Sequence, residues 1–471
     1  MPSPRFHQPV ASAASNGSAV RLLLPLVVFG TPYLFVWQGL DFTDKGLMLA
    51  YADQMFRWPD AYDILSPLWL SGALAHAWIN AVPLPPALAV NVLLAVLLNG
   101  LALLSFRLLR FRFESTALWC AILLSQLFII PPLQHGYGYQ ALSVALLAAA
   151  ALAMANGLVE KRGAWLFASG AIAGVAVFAR LPNVLGIGLA TAPILYAAFQ
   201  KETFRVGNVL RFLTGYLTGV VTLCLILLAT GHWSQYLSGI QTLLNASPQE
   251  RYHNSGIAGL AAVYVRDVWR MAFAAIVAVA VSLPVLLLAT YLFVNGHSRA
   301  RRQLARWLIA ASALLLVVEI FVWFPLVFIL KDVQRLALSG LVGIAALWLA
   351  LRGNDVATRV LLVCGLIASI ASFAGSDVGF GAYALYPVLL PLAAWSMSQR
   401  SVIQSGFIPT FLHTALFFWW TAIVFLTLGL CATYVYRDAP RFELNYPLRN
   451  EPKLTGILTN AARRDAVDGL A

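Results

Sequence analysis

Charge is what this chain has least of. Asp, Glu, Lys and Arg make up 11% of its 471 residues, while 61% are apolar; a soluble domain carries about 25% charged residues. Repeated over the whole length, that deficit excludes a soluble enzyme and leaves a polytopic membrane protein. Cysteine is nearly absent too. Cys120, Cys224, Cys364 and Cys431 all lie inside apolar runs, where a thiol acts as a small apolar group. That argues against a disulfide framework or a thiolate metal site. Acid is scarcer than base, 19 residues against 31, for a formal charge of +12. Basic residues of multi-spanning proteins collect in cytoplasmic loops, so the excess is not a nucleic-acid signal and no nucleic-acid partner is expected. No internal repeat and no soluble enzyme domain is visible.

What is there is a succession of apolar runs. Residues 1–20 are small and polar and are expected to form a disordered cytoplasmic N-terminus. The run behind them is long for a signal peptide and lacks a small-residue cleavage site, so it reads as an uncleaved first span. A span needs about 20 apolar residues. Candidates lie near 22–39, 86–106, 115–131, 138–156, 164–179, 184–199, 209–230, 268–294, 306–330, 335–351, 358–374, 382–397 and 410–435. They predict an all-α, polytopic membrane helical bundle of about thirteen spans over 21–435, with an outer loop at 40–85.

The stretch 64–82 is ambiguous, because it contains Ser, Pro, Gly, His76 and Asn80. Loop charge decides it. If 64–82 does not cross, the inner loops hold Arg107, Arg110, Arg112, Lys161, Arg162, Lys201, Arg205, Arg211, the run 297–306, Arg352, Arg359 and Arg400. That is a positive-inside pattern, and a crossing would invert every later loop. A helix lying on the outer surface after the first span is therefore expected. The tail, 436–471, becomes a short extracytoplasmic segment with a polar helix near its end.

The same partition collects the unusual polar residues outside. Asp41, Asp44, Asp53, Asp60 and Asp63 follow the first span, opposed by Lys45 and Arg57. A solvated acidic loop would explain them without function. Arg180, in "VFARLPNVLG", has almost no loop around it. Ionisable groups near membrane depth are rare and often functional, although an interfacial arginine can also snorkel. Pro182 and Asn183 beside it suggest a fixed turn or a helix start. His135, Tyr137 and Tyr139 in "QHGYGYQ" could be belt aromatics or a polar wall for a sugar. Lys331 and Arg335 are four apart and share a face if helical, as two cations for an anionic headgroup or as salt-bridged loop charges. Asp377 sits in a glycine-rich turn, and the loop 231–267 adds Arg251, His253, Arg266 and Asp267.

Together these residues match one chemistry, transfer of a sugar from a lipid-phosphate donor. An acceptor hydroxyl needs a general base, and a carboxylate can serve. A departing phosphate needs Arg, Lys or a metal nearby. The lipid tail needs an apolar groove, which a helical bundle supplies.

The stretch "DFTDKG" (41–46) resembles the first outer loop of GT-C superfamily glycosyltransferases, most closely bacterial relatives of the dolichyl-phosphate-mannose-protein mannosyltransferases. "ARLPN" (179–183), "GSDVG" (375–379) and the tail "PKLTGILTNAARRDAVDGL" (452–470) are similar to that subgroup as well. The resemblance implies a GT-C-like fold, a surface helix before the second span, and Asp44 as catalytic base with Asp41 its competitor. Lys45 stands where the subgroup usually has an acidic residue. An acidic pair could bind a divalent cation; Asp44 with Lys45 is poorer at that, and Asp41 could restore a second carboxylate. No cofactor is required by this reading, and a divalent cation is compatible with it.

The expectation is an inverting glycosyltransferase of a bacterial inner membrane, with its active site on the periplasmic side. Its donor would be a polyprenyl-phosphate sugar and its acceptor an envelope glycan, lipid or protein. Arg180, Lys331 and Arg335 would bind the donor phosphate. His135, Tyr137, Tyr139, His253 and Asp377 would contact sugar or acceptor. The alternatives are an envelope-polysaccharide polymerase or ligase with a polyprenyl-diphosphate donor, and a lipid or solute transporter. A transporter favours internal repeats and mid-membrane ionisable groups, of which Glu319 is the one instance.

Overall fold

The computed structural model describes residues 18–34, 36–39, 44–58, 65–133, 137–245, 256–295, 298–322, 327–353, 355–373, 385–398, 407–433, 443–448 and 450–469. The chain is almost wholly helical, as its apolar runs predict. In order come α1 (Ser18–Gly30), α2 (Asp44–Gln54), α3 (Trp69–Ala81), α4 (Pro86–Leu109), α5 (Ser115–Leu133), α6 (Tyr139–Val159), α7 (Gly163–Ala176), a 3₁₀ segment (Leu181–Thr191) and α8 (Ala192–Gln200). Then follow α9 (Val206–Ala229), α10 (Trp233–Asn245), α11 (Gly256–Asn295), α12 (Arg299–Val322), α13 (Val327–Arg352), α14 (Val356–Phe373), α15 (Tyr386–Ser398) and α16 (Phe407–Thr433). The tail adds β1 (Tyr446–Pro447), β2 (Leu458–Thr459) and α17 (Ala461–Asp468).

Among the described residues, four helical stretches are long and apolar enough to cross a membrane: Pro86–Leu109, Tyr139–Val159, Leu181–Gln200 and Val206–Ala229. Shorter apolar helices, among them Gly163–Ala176 and Val356–Ser372, pack beside them. Without a hydrophobic drive between helices in lipid, close backbone approach supplies the packing. The α7–α9 crossing is built that way. A Cβ on Gly170 or Gly174 would strike the Phe212 or Tyr216 carbonyl of α9, and one on Gly215 or Gly219 would strike the Phe167 or Ala171 carbonyl of α7. Two glycine pairs, each four residues apart, thus bring the two backbones into direct contact.

The charged turns sort to the two ends of the bundle. One end carries the turns at 110–114, 160–163, 200–206 and 353–359. There Lys161 Nζ lies 3.4 Å from Glu202 Oε1, and the Arg359 guanidinium covers Phe199 at 4.0 Å. Burial pulls the Arg112 guanidinium below its ordinary pKa, and Glu160 and Asp355 oppose that pull. The other end gathers 36–39, α2, α3, the start of α4, 137–139, 177–183, 231–236 and the tail.

Helix α3 belongs to that second end. Its 13 residues span about 20 Å at 1.5 Å per residue, short of a hydrocarbon core of about 30 Å. The Leu70 amide donates to Phe178 O (2.9 Å), Ser71 Oγ donates to Ala179 O (3.1 Å), and Trp78 Nε1 donates to Ala89 O (2.9 Å). Those bonds lay α3 across the ends of α7 and α4.

Candidate functional site

The site is built around α2, whose first residue is Asp44. A helix leaves its last carbonyls without internal partners, and here two imidazoles take them. His76, on α3, bonds Ala52 O through Nδ1 (2.7 Å), while Asn80 Nδ2 sits 3.0 Å from its Nε2. His232 bonds Met55 O through Nε2 (3.2 Å). Because a carbonyl only accepts, each of these ring nitrogens carries a proton. His232 Nδ1 is then the bare acceptor in the neutral ring. Phe56 lies between the two rings, 4.7 Å from His76 and 4.8 Å from His232.

His232 is placed by a helix end. Gly231, at φ +75°, closes α9: its amide donates to Leu228 O (3.1 Å) and the His232 amide to Leu227 O (2.9 Å). That is the paired-bond stop glycine makes in the left-handed region. Directly after it, α10 starts at Trp233, and Tyr236 stacks on Phe178 at 5.3 Å.

Arg180 is the buried cation of this end, with 7% of its surface exposed. The α7 helix ends just before it, and the Arg180 amide donates to Ala176 O (3.3 Å). Pro182 then opens the 3₁₀ segment. Asn183 locks the turn, its Nδ2 donating to Ala176 O and to Ser143 Oγ, both at 2.8 Å. The guanidinium has five N–H donors. One, from Nη1, goes to Ser372 O at 3.1 Å, and the group lies 5.7 Å from the Tyr139 ring. Among the described residues no carboxylate pairs with it. A buried charge is costly unless paired, so what faces the remaining N–H donors decides the role of this guanidinium.

Buried polar atoms without a partner gather here as well. At this end, among the described residues, they are Trp69 Nε1, Asn183 Oδ1 and His232 Nδ1. Each costs about 1–3 kcal/mol if left dry. Trp69 offers a donor and His232 an acceptor, with ring centroids 6.1 Å apart. Tyr137 is 1% exposed. Its hydroxyl lies beside Ser71 Oγ, which donates to Ala179 O (3.1 Å) and keeps lone pairs to accept the Tyr137 proton.

The structure thus brings Arg180 and Tyr139 together and places Tyr137 near α3. Asp44 heads α2, with its side chain outside the described set. Asp41, His135, His253 and Asp377 lie outside the described residues. Lys331 and Arg335 fall within α13 rather than in a loop, one helical turn apart, with side chains outside the described set. His232, Trp69 and Lys453 were not anticipated. Gly231 is the one local signal for His232, and Lys453 lies in the tail stretch 452–470. Lys453 Nζ reaches Asp53 Oδ2 at 2.8 Å. That hydrogen bond holds the Asp53 carboxyl below its ordinary pKa, against the upward pull of partial burial. No group of three or more His, Cys, Asp or Glu side chains among the described residues could hold a metal ion.

A buried guanidinium, several aromatic rings and an aspartate-led helix therefore share one end of an apolar bundle. Set against known proteins, the chain matches no family model, no curated protein and no solved structure.

Proposed function

We propose that the chain is a GT-C-like membrane glycosyltransferase. In this reading it crosses a bacterial inner membrane about thirteen times and moves a sugar from a polyprenyl-phosphate donor to an envelope glycan, lipid or protein acceptor on the outer side. The observation that carries the proposal is Arg180, a buried guanidinium with one hydrogen bond and no carboxylate among the described residues, at the bundle end where α2 begins with Asp44.

In the proposed reaction, Asp44 takes the proton from the acceptor hydroxyl. That oxygen attacks the anomeric carbon from the face opposite the phosphate. The bond from carbon to phosphate oxygen breaks with inversion, and the electron pair leaves on the phosphate. Arg180 stabilises the developing charge, and Tyr139 shields the guanidinium from water.

The test is transfer by the purified full-length protein from a synthetic polyprenyl-phosphate sugar. Asp44→Asn keeps size and hydrogen bonding but removes basicity, and should cost about 100-fold or more in rate with donor binding intact. Arg180→Ala should cost about 3 kcal/mol in transition-state stabilisation. Asp377→Asn is the control arm. If Asp377 were the counter-ion of Arg180, its removal would tighten phosphate binding and the double variant would behave like Arg180→Ala. Full transfer by Asp44→Asn would end the proposal.

A further inference from the structure

The C-terminal tail has no part in the chemistry above, yet it is built into the segment that chemistry depends on. Upstream of the aspartates, β2 pairs in parallel with 37–39. The Leu458 amide donates to Trp37 O (2.7 Å), and the Gly39 amide donates to Leu458 O (2.8 Å). Gly39 is the last described residue before the stretch that holds Asp41, and it turns the chain away at φ +89°. Downstream of the aspartates, Leu49 of α2 packs on a buried cluster of Leu448, Ile457 and Ala87. One turn further, Lys453 meets Asp53.

A single hairpin makes all of these contacts. β1 and β2 are antiparallel, with Tyr446 opposite Thr459. Gly456 turns the chain at φ +85°, and the Lys453 carbonyl accepts from the Ala87 amide at the head of α4 (3.0 Å). The hairpin is therefore fixed to the bundle as well as to the acidic segment. The Lys453–Asp53 pair is half exposed and contributes little alone. Backbone pairing and the apolar cluster hold the hairpin, and the ion pair sets where α2 meets it.

We propose that residues 443–469 form a positioning clamp that ties residues 37–39 to α2 and so fixes where the backbone of α2 begins, at Asp44. The clamp as a structure is independent of the catalytic reading; its effect on rate rests on Asp44 acting as proposed above.

The test uses full-length protein in lipid nanodiscs. Leu458→Pro deletes the amide that bonds Trp37 and leaves Lys453 in place. Hydrogen exchange of 36–39 and of α2 should rise about tenfold or more, while α6 and α9 keep their protection. Transfer should lose about fivefold or more in kcat with donor KM little changed, the pattern of a misplaced base. If Leu458→Pro exposes α6 as well, Leu448→Ala takes its place: it thins the buried cluster on which Leu49 packs and should raise exchange in α2 with α6 and α9 protected. Unchanged exchange in 36–39 and α2 would overturn the clamp. Raised exchange with unchanged kcat would overturn positioning. Raised exchange in a protein whose unmodified form transfers no sugar would uphold the clamp and count against the transferase reading instead.

Discussion

His232 owes its place to a single glycine. Gly231 holds φ at +75°, where an L side chain costs about 1–2 kcal/mol. At the opposite end of the bundle the same stop is made by Lys161 (φ 56°) and Lys201 (φ 53°), so the fold does not demand glycine for the turn itself. What distinguishes Gly231 is the residue after it, an imidazole that must reach the Met55 carbonyl. Gly231→Ala should lower unfolding stability by about 1–2 kcal/mol and raise amide exchange at the Met55 end of α2. Lys201→Gly should stabilise by a similar amount with no effect at α2. Thermal unfolding with exchange of both variants checks this, and an equal effect of the two on α2 would remove the link. At this scale the sequence was readable where charge broke an apolar run: Arg180 stands out for that reason, and its burial follows from the short turn around it. His232 did not stand out, because 231–267 reads as one long loop. The α9 stop and the start of α10 at Trp233 are hidden in its polar composition.

Elements were readable where a long periodic or apolar stretch dictates them. The helices from α4 to α9 follow their apolar runs, α17 follows the polar end of the tail, and α3 starts only after Pro67 and carries Ser71, Gly72 and His76 within its short length. The β1–β2 hairpin was not readable: two-residue strands carry no alternation, and their pairing with 37–39 depends on residues about 400 positions apart. The eleven-residue 3₁₀ stretch Leu181–Thr191 was not readable either: Pro182 and Asn183 suggest a turn or a helix start, and the apolar run from 184 suggests an ordinary span. Runs of that length are uncommon, and this one depends on Asn183 reaching back to Ala176 O. The α7–α9 crossing carries a sharper expectation. Gly170→Leu or Gly215→Leu would force the two helices apart, at a cost of about 1–3 kcal/mol or more. The same change at Gly207, which has open space around it, should be nearly neutral. Comparing detergent unfolding midpoints of the three variants tests this; a neutral Gly170→Leu would mean the helices do not approach as closely as described.

At the scale of the whole molecule, the decisive feature is that chemically unlike turns occupy opposite ends. Arg112, Lys161, Arg162, Lys201 and Arg359 sit at one, with Glu160, Glu202 and Asp355 among them. Asp53, His76, Arg180, His232 and the tail sit at the other. In the proposed orientation the basic end faces the cytoplasm, following the positive-inside rule, and the aspartate-led helix faces outward. That assignment hangs on α3 not crossing, because an extra crossing before α4 would separate Trp58 from Leu84. Yet α2 and α3 are joined through His76 and Ala52, and the tail touches both α2 and the head of α4. Single substitutions Trp58→Cys, Leu84→Cys and Asn450→Cys should therefore react with an impermeant maleimide from one side of the membrane, and Arg162→Cys and Lys201→Cys from the other. The native thiols described, Cys120, Cys224 and Cys364, lie within apolar helices, which keeps the background low. Labelling of 58 and 84 from opposite sides would break the argument at α3. Labelling of 162 from the same side as 58 would break it at the bundle itself, and with it the placing of Arg180 and Asp44 where a lipid-linked donor could reach both.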